Sequence, residues 1–381
     1  MSRLNFLGCL LLSFVLISNG EEGQRADYHL RNGVDVQRDV NLGFPRPKFR
    51  TKTTGEVVAK VIFVDFRDSS AKRTTQEVFK MLEPSQDVFR EVSYGKLDYK
   101  LEPHFKWMTM SKKSTEYDLM KKQRDFLEEA ILLADRDVDF SQCDNVIVIS
   151  NPGSKFSEAG PAFCCVRREM GIPVDGNIIM NGATSGHDLG VWKHLWLNHE
   201  ISHTLGLVDL YADIRKDESK ENKNNANRFV GDFSYMGFIN GTSPGLLAWE
   251  RLLLGWIQDD QIALASRGTT KVTLSPIEIP DGTKMVFIPI GETSAIVAES
   301  RRRIGLDKNM RKEGVLVYKI DTSLKSGFGP IQVLSKIAGE KDCQSAPLKS
   351  GEKISYGNVS IRVLGSLQMS DSIEVAVGDS K

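Results

Sequence analysis

Two histidines four residues apart, with a glutamate directly after the first, are the part of this sequence best equipped for chemistry. They lie in Asn198-His199-Glu200-Ile201-Ser202-His203-Thr204-Leu205-Gly206-Leu207-Val208-Asp209. Positions four apart share one face of a helix, one turn above the other. Both imidazoles can therefore reach a single ion at about 2.0–2.1 Å. Zinc takes such neutral nitrogen donors and, in catalytic sites, keeps a fourth position for water. Glu200 leaves the helix beside that face, where its carboxylate can act as general base on the water. Gly206 can adopt a left-handed backbone, ending the helix and turning the chain back. Asp209 then follows as a third ligand through oxygen, with Asp213 as the nearest substitute.

A second stretch, Asp232-Phe233-Ser234-Tyr235-Met236-Gly237, is turn-prone at its end, and its Met236 follows Asp209 by 27 residues. The Tyr235 hydroxyl is a candidate for stabilising a tetrahedral oxyanion. The alternative reading is a packed aromatic. A lone methionine such as Met236 is, by itself, usually core.

These residues need a scaffold. The run from Val57 through Phe66 is β-branched and aromatic, as a buried strand requires, and so is Asn145–Ser150, closed by Asn151-Pro152-Gly153. Between them, residues 74–93 and 116–133 carry helical spacing. One long helix is expected over 188–205, a mobile charged loop over 212–228 and a helix over 248–257. Beyond residue 262 the texture changes to short alternating runs, at 271–274, 284–290, 295–298, 315–320 and 359–363, punctuated by Gly, Pro and Asp. The fold class is α+β: a mixed sheet with helices and an active-site helix over 55–261, then a β-rich unit over 262–381.

The 381 residues are 40% hydrophobic, with 50 basic and 50 acidic side chains. No net field argues for nucleic acid or an anionic membrane as partner. Arg3, an apolar run from Phe6 to Ile17 and small residues at 18–20 describe a secretory signal peptide over 1–20, too short to span a bilayer. The protein is expected to be secreted, extracellular and monomeric, without a membrane span, acting on proteins or peptides. Residues 21–54 read as a leader or propeptide. In an oxidising compartment Cys143, Cys164, Cys165 and Cys343 can pair, and the strain of a bridge between neighbours ties Cys343 to the 143–165 region. Asn240 and Asn358 begin glycosylation sequons.

The chain resembles the immune inhibitor A-type secreted metallopeptidases. The resemblance is carried by Val61–Asp68, the Ser93-Tyr94-Gly95-Lys96 segment, His199–Tyr211, Asp232–Gly237, Ala248–Ile257 and Glu299–Asp321, in the family's order. It implies a zinc endopeptidase with a metzincin-like catalytic unit. His199, His203 and Asp209 would be the ligands and Glu200 the base, with Met236 in the turn beneath the metal. An aspartate stands where metzincins more often have a third histidine, and Ile201-Ser202 replaces a bulky residue and glycine. Calcium is possible in such a family, without a loop acidic enough to place it.

Two further readings remain open. The chain could be a catalytically silent binding protein that keeps the fold. It could also be a zymogen whose leader blocks the cleft through Asp27, Asp35 or Asp39. No cysteine lies between Glu21 and Gln142, so a cysteine latch from the leader is excluded.

Overall fold

The computed structural model describes residues 28–32, 42–156, 158–213, 225–243, 245–337, 340 and 343–379. The signal segment, Asp27, Asp35, Asp39 and most of the charged loop lie outside them.

Strand β1 (Gly55–Asp65) is apolar on both faces, and both faces are covered. Val57, Ala59, Val61 and Phe63 enter one core, while Ile62, Val64 and nearby Phe66 enter another. A strand buried on both sides reads as a continuous apolar run, as this one does. Helix α1 (Thr75–Phe79) and helix α2 (Ser85–Val92) lead to strand β2 (Leu97–Thr109), parallel to β1. The helical stretch expected over 74–93 is thus split. Thr74 and Glu77 cap α1 reciprocally, and Pro84 starts α2, where the missing amide hydrogen costs nothing.

Helix α3 (Gln123–Ala134) precedes strand β3 (Asn145–Ser150), also parallel to β1. Strand β4 (Ala162–Cys164), the small hairpin of β5 (Ile172–Val174) and β6 (Asn177–Ile179), and β7 (Asn181–Thr184) follow. The first sheet has the order β2-β1-β3-β7-β4, all parallel except β4. Helices α4 (Leu189–Trp192), α5 (His194–Leu205) and α6 (Ala248–Leu253) complete the helical complement. The single helix expected over 188–205 is broken at Lys193, whose φ of 52° no continuing helix permits. The helix expected over 248–257 ends early, with Gly255 at φ 73° just beyond it.

Beyond residue 261 the chain is strand-rich. Strands β8 (Ile262–Leu264), β9 (Gly268–Leu274), β10 (Met285–Pro289), β11 (Ser294–Arg301), β12 (Gly314–Asp321) and β13 (Ile331–Val333) come first. Strands β14 (Lys353–Tyr356), β15 (Val359–Leu367) and β16 (Ser370–Val377) end the chain. They form two sheets, β13-β12-β11-β10-β8 and β14-β15-β16-β9, packed through Val286, Ile288, Val315, Val317, Ile361, Val363, Ile373 and Val375. The first of these sheets is two-faced. Its other side, with Phe287, Val297, Leu316, Tyr318 and Ile320, shares one core with α2, α5 and α6. The layers therefore run α3, first sheet, helices, second sheet, third sheet, and the fold is α+β with sheets dominant.

Residues 42–54 belong to this body. Trp249 and Trp256 donate their indole N–H groups to the carbonyls of Leu42 and Thr53, at 2.9 and 2.7 Å. No disulfide is seen among the described residues, which corrects the expected bridge to Cys343. Cys143 and Cys165 are buried in the core on the α3 side of the first sheet, Cys343 in the core on its other side. The sheet separates them. Cys143 donates its thiol to the Asn145 carbonyl, and burial pushes its pKa up to about 12. Asn240 and Asn358 are both exposed.

Candidate metal centre and cleft

Helix α5 carries the site, and its last turn is closed from outside. Gly206 takes φ 110°, as a left-handed residue after a helix should. The Leu207 amide then donates to the Ser202 carbonyl at 3.0 Å and the Gly206 amide to the His203 carbonyl at 2.9 Å, the Schellman pattern. The last two carbonyls are met by residues 46–51. Thr51 donates its amide to Thr204 at 3.0 Å, and Arg46 its guanidinium to Leu205 at 2.7 Å. All four terminal carbonyls are thereby satisfied, with a cation at the negative end of the helix.

The turn at Gly206 brings Asp209 back over the two histidines. Its Oδ1 lies 3.1 Å from His199 Nε2 and 3.2 Å from His203 Nε2. His199, His203 and Asp209 are the group of potential metal ligands found among the described residues, with donor atoms all within 4.8 Å; Asp213 is not in it. Their far nitrogens decide the chemistry. His199 Nδ1 is 2.9 Å from the Tyr235 carbonyl, and His203 Nδ1 is 2.8 Å from the Leu207 carbonyl. A carbonyl only accepts, so each Nδ1 must carry the hydrogen, and a neutral ring then presents a bare lone pair at Nε2. Two such lone pairs facing one carboxylate oxygen repel unless positive charge lies among them.

That charge is either extra protons or a cation. Burial pulls His203 down, yet Asp209 more than offsets it and holds the ring up at about 9, while the two histidines drive Asp209 well below the usual carboxylate range against its burial. The separations of 3.1 and 3.2 Å also approach the edge of a tetrahedron with bonds of about 2.0–2.1 Å, roughly 3.4 Å. The donor set fits a divalent cation.

Glu200 faces the same cleft of about 380 Å³ as the three ligands. Burial raises its pKa, His199 and His203 oppose the rise, and Asp209 and Asp188 add to it. Its Oε2 accepts the Ala162 amide at 2.7 Å. Ala162 belongs to β4, the edge of the first sheet. Pro161 and Cys165 bond inward, to Thr184 and Met180, at 3.1 and 2.9 Å. By alternation Ala162 and Cys164 turn their backbone groups outward, into the cleft that both line. Asp188 and Trp196 fix the start of this edge. The Asp188 carboxylate accepts the Gly160 amide at 2.9 Å, and the Trp196 indole donates to the Gly160 carbonyl at 2.8 Å.

Tyr235 is corrected. Its ring is fully buried and does not line the cleft; its hydroxyl meets Ser202 Oγ at 2.9 Å. An oxyanion in the cleft is out of its reach, and it touches the site only through its carbonyl on His199. Tyr211 was given no role from the sequence, although it ends the Asp-Leu-Tyr stretch. It lines the cleft, is 38% exposed and stacks toward His199 with ring centroids 6.3 Å apart. Met236 is fully buried beneath the site, and its carbonyl accepts the Leu210 amide at 2.8 Å.

The turn carrying Tyr235 and Met236 is held by a buried ionic group. Arg301 pairs with Glu299 at 2.9 Å and Asp307 at 2.6 Å, and approaches the Phe233 carbonyl at 3.4 Å. Glu299 accepts the Ala248 amide at the start of α6 and the Tyr318 hydroxyl. The Glu299-x-Arg301 pair thus serves the site's foundation, and the Ser93–Lys96 segment does the same at a distance. Tyr94, in the turn before β2, donates to the Ile277 carbonyl of the β-rich unit, and Lys96 to that of Trp256, just beyond α6.

No protein-family profile and no curated protein matches the chain. Among solved structures, a crystal structure of metalloproteinase-II from Bacteroides fragilis aligns at a TM-score of 0.29 and 14% identity, covering 60% of this chain and 58% of that one. The chain spans less than two thirds of that structure, and a likeness so low carries no argument.

Proposed function

We propose that the protein is a zinc-dependent endopeptidase, secreted, of the immune inhibitor A type with a metzincin-like catalytic unit. One observation carries this reading: two imidazoles, fixed by carbonyls at Nδ1, turn their Nε2 lone pairs on one Asp209 oxygen beside Glu200. His199, His203 and Asp209 would hold zinc. A zinc ion there supplies a Lewis acid and acidifies water to a pKa of about 7.

The chain's own residues supply the rest. The peptide would lie along β4, whose Ala162 and Cys164 line the cleft beside Glu200. Glu200, made more basic by burial, takes a proton from water in the cleft and delivers it to the departing amide nitrogen. Tyr211, which lines the cleft, would donate its hydroxyl to the carbonyl oxygen as negative charge develops.

The test is bound zinc per chain, with casein cleavage measured with and without chelator and beside Glu200→Gln. One zinc, and cleavage lost in both the chelator and the variant, would support the enzyme. Zinc retained with no cleavage by any mature form would favour a binding protein, and no zinc would overturn the reading.

A further inference from the structure

We propose that the β-rich C-terminal unit completes the cleft, with Ser326 as a positioning residue for Asp209 and the loop 322–330 setting substrate preference along that wall. The proposal rests on the peptidase reading above. Residues 209–213 form neither helix nor strand. Four hydrogen bonds alternate along them. Leu210 and Ala212 donate to the Met236 and Ala226 carbonyls, at 2.8 and 2.7 Å, on the side of the body. Asp209 and Asp213 bond the other way, to the loop between β12 and β13. Ser326 donates its hydroxyl to the Asp209 carbonyl at 3.2 Å, and the Gly327 carbonyl accepts the Asp213 amide at 3.0 Å.

The segment so gripped carries both the third ligand and Tyr211. Ser326 itself lines the cleft beside them. The loop is firm enough to grip: Asp321 donates its amide to the Pro330 carbonyl at 2.8 Å across its base, and the Thr322 hydroxyl bonds to the Arg31 carbonyl. The fit at Gly327 is close. Its φ is 83°, and a Cβ there would stand 2.8 Å from the Asp213 Cβ. A substrate side chain reaching this wall meets a hydroxyl supplied by the C-terminal unit and an aromatic ring held in place by it.

The experiment compares the wild type with Ser326→Ala, Ser326→Thr and Gly327→Ala in three readouts. These are hydrogen exchange of the Asp213 amide in metal-free protein, cobalt affinity by visible absorption, and the cleavage profile of a peptide library with kcat and KM. Ser326→Ala should speed the exchange several-fold, weaken cobalt binding about tenfold, as loss of a supporting partner does, and change residue preference. Ser326→Thr should restore affinity but not preference, and Gly327→Ala should exceed the alanine variant in all three. Wild-type exchange, affinity and profile in Ser326→Ala or in Gly327→Ala would overturn the proposal and leave the peptidase intact. A wild type that neither binds cobalt nor cleaves would overturn both.

Discussion

The hydroxyl of Tyr235 meets that of Ser202 at 2.9 Å inside the core, while the carbonyl of the same tyrosine accepts from His199. One residue thus braces the active-site helix twice without touching the cleft. Tyr235→Phe removes the first brace alone. We expect a stability loss of about 1–2 kcal/mol from the unpaired Ser202 hydroxyl, and kcat close to wild type. Tyr211→Phe should do the reverse, lowering kcat about tenfold to a hundredfold at unchanged melting temperature. Thermal melts and steady-state kinetics on the two variants distinguish the roles.

Arg46 offers a second test, because the Leu205 carbonyl has its guanidinium at 2.7 Å. Arg46→Ala leaves that carbonyl without its charged partner and should destabilise the fold by about 2 kcal/mol. A chain beginning at residue 55 loses Arg46, Thr51 and the acceptors of both tryptophans, and should not yield folded enzyme. N-terminal sequencing of active protein should therefore find a start before residue 42. Active enzyme starting at 55 would refute this.

The pH dependence of stability should carry the mark of Glu250. Burial pushes its carboxyl up to about 7 from the ordinary 4.5, although the Leu247 amide and Ser234 hydroxyl donate to it. Between these values the folded chain holds a proton that the unfolded chain has released. Stability therefore falls as pH rises through the window, by about 3 kcal/mol from this group. Urea midpoints near pH 5 and near pH 8 should differ less in Glu250→Gln than in the wild type.

Gly160 ties the edge strand to the rest of the site. A Cβ there would lie 2.0 Å from the Thr184 carbonyl oxygen, so Gly160→Ala must shift the start of β4. Misplacing the docking edge should cost about a hundredfold in kcat/KM while bound zinc stays at the wild-type level. Unchanged kinetics would mean that substrate does not lie along β4.

How much of this could be read in advance follows from the range of the interactions. The grouping of His199, His203 and Asp209 and the left-handed turn at Gly206 were readable because they depend on spacings of three to six residues, along one helix and the turn that ends it. Strands β1 and β3 and most strands of the β-rich unit were readable from their alternation or apolar runs. Strand β2 was missed, since Lys100, His104 and Lys106 break its apolar pattern. The break at Lys193 is a backbone choice made by packing. Tyr235 was misassigned because a hydroxyl near a site says nothing of its direction; Ser202, 33 residues away, settles that. Arg46 and Ser326 act on the site across 159 and 117 residues, distances at which no pattern in the chain announces a contact.

The core shared by the two parts of the chain has a consequence for proteolytic nicking. The junction before β8 is no open linker: Leu254, Trp256 and Ile257 are buried, and the exposed residues there are Gly255 and the run Gln258–Asp260. A run of three exposed residues is too short to be drawn out extended into a protease without disturbing the buried residues beside it. Cleavage at that point would require the shared core to open, so a proteolytic probe of this junction reads global unfolding rather than a local hinge.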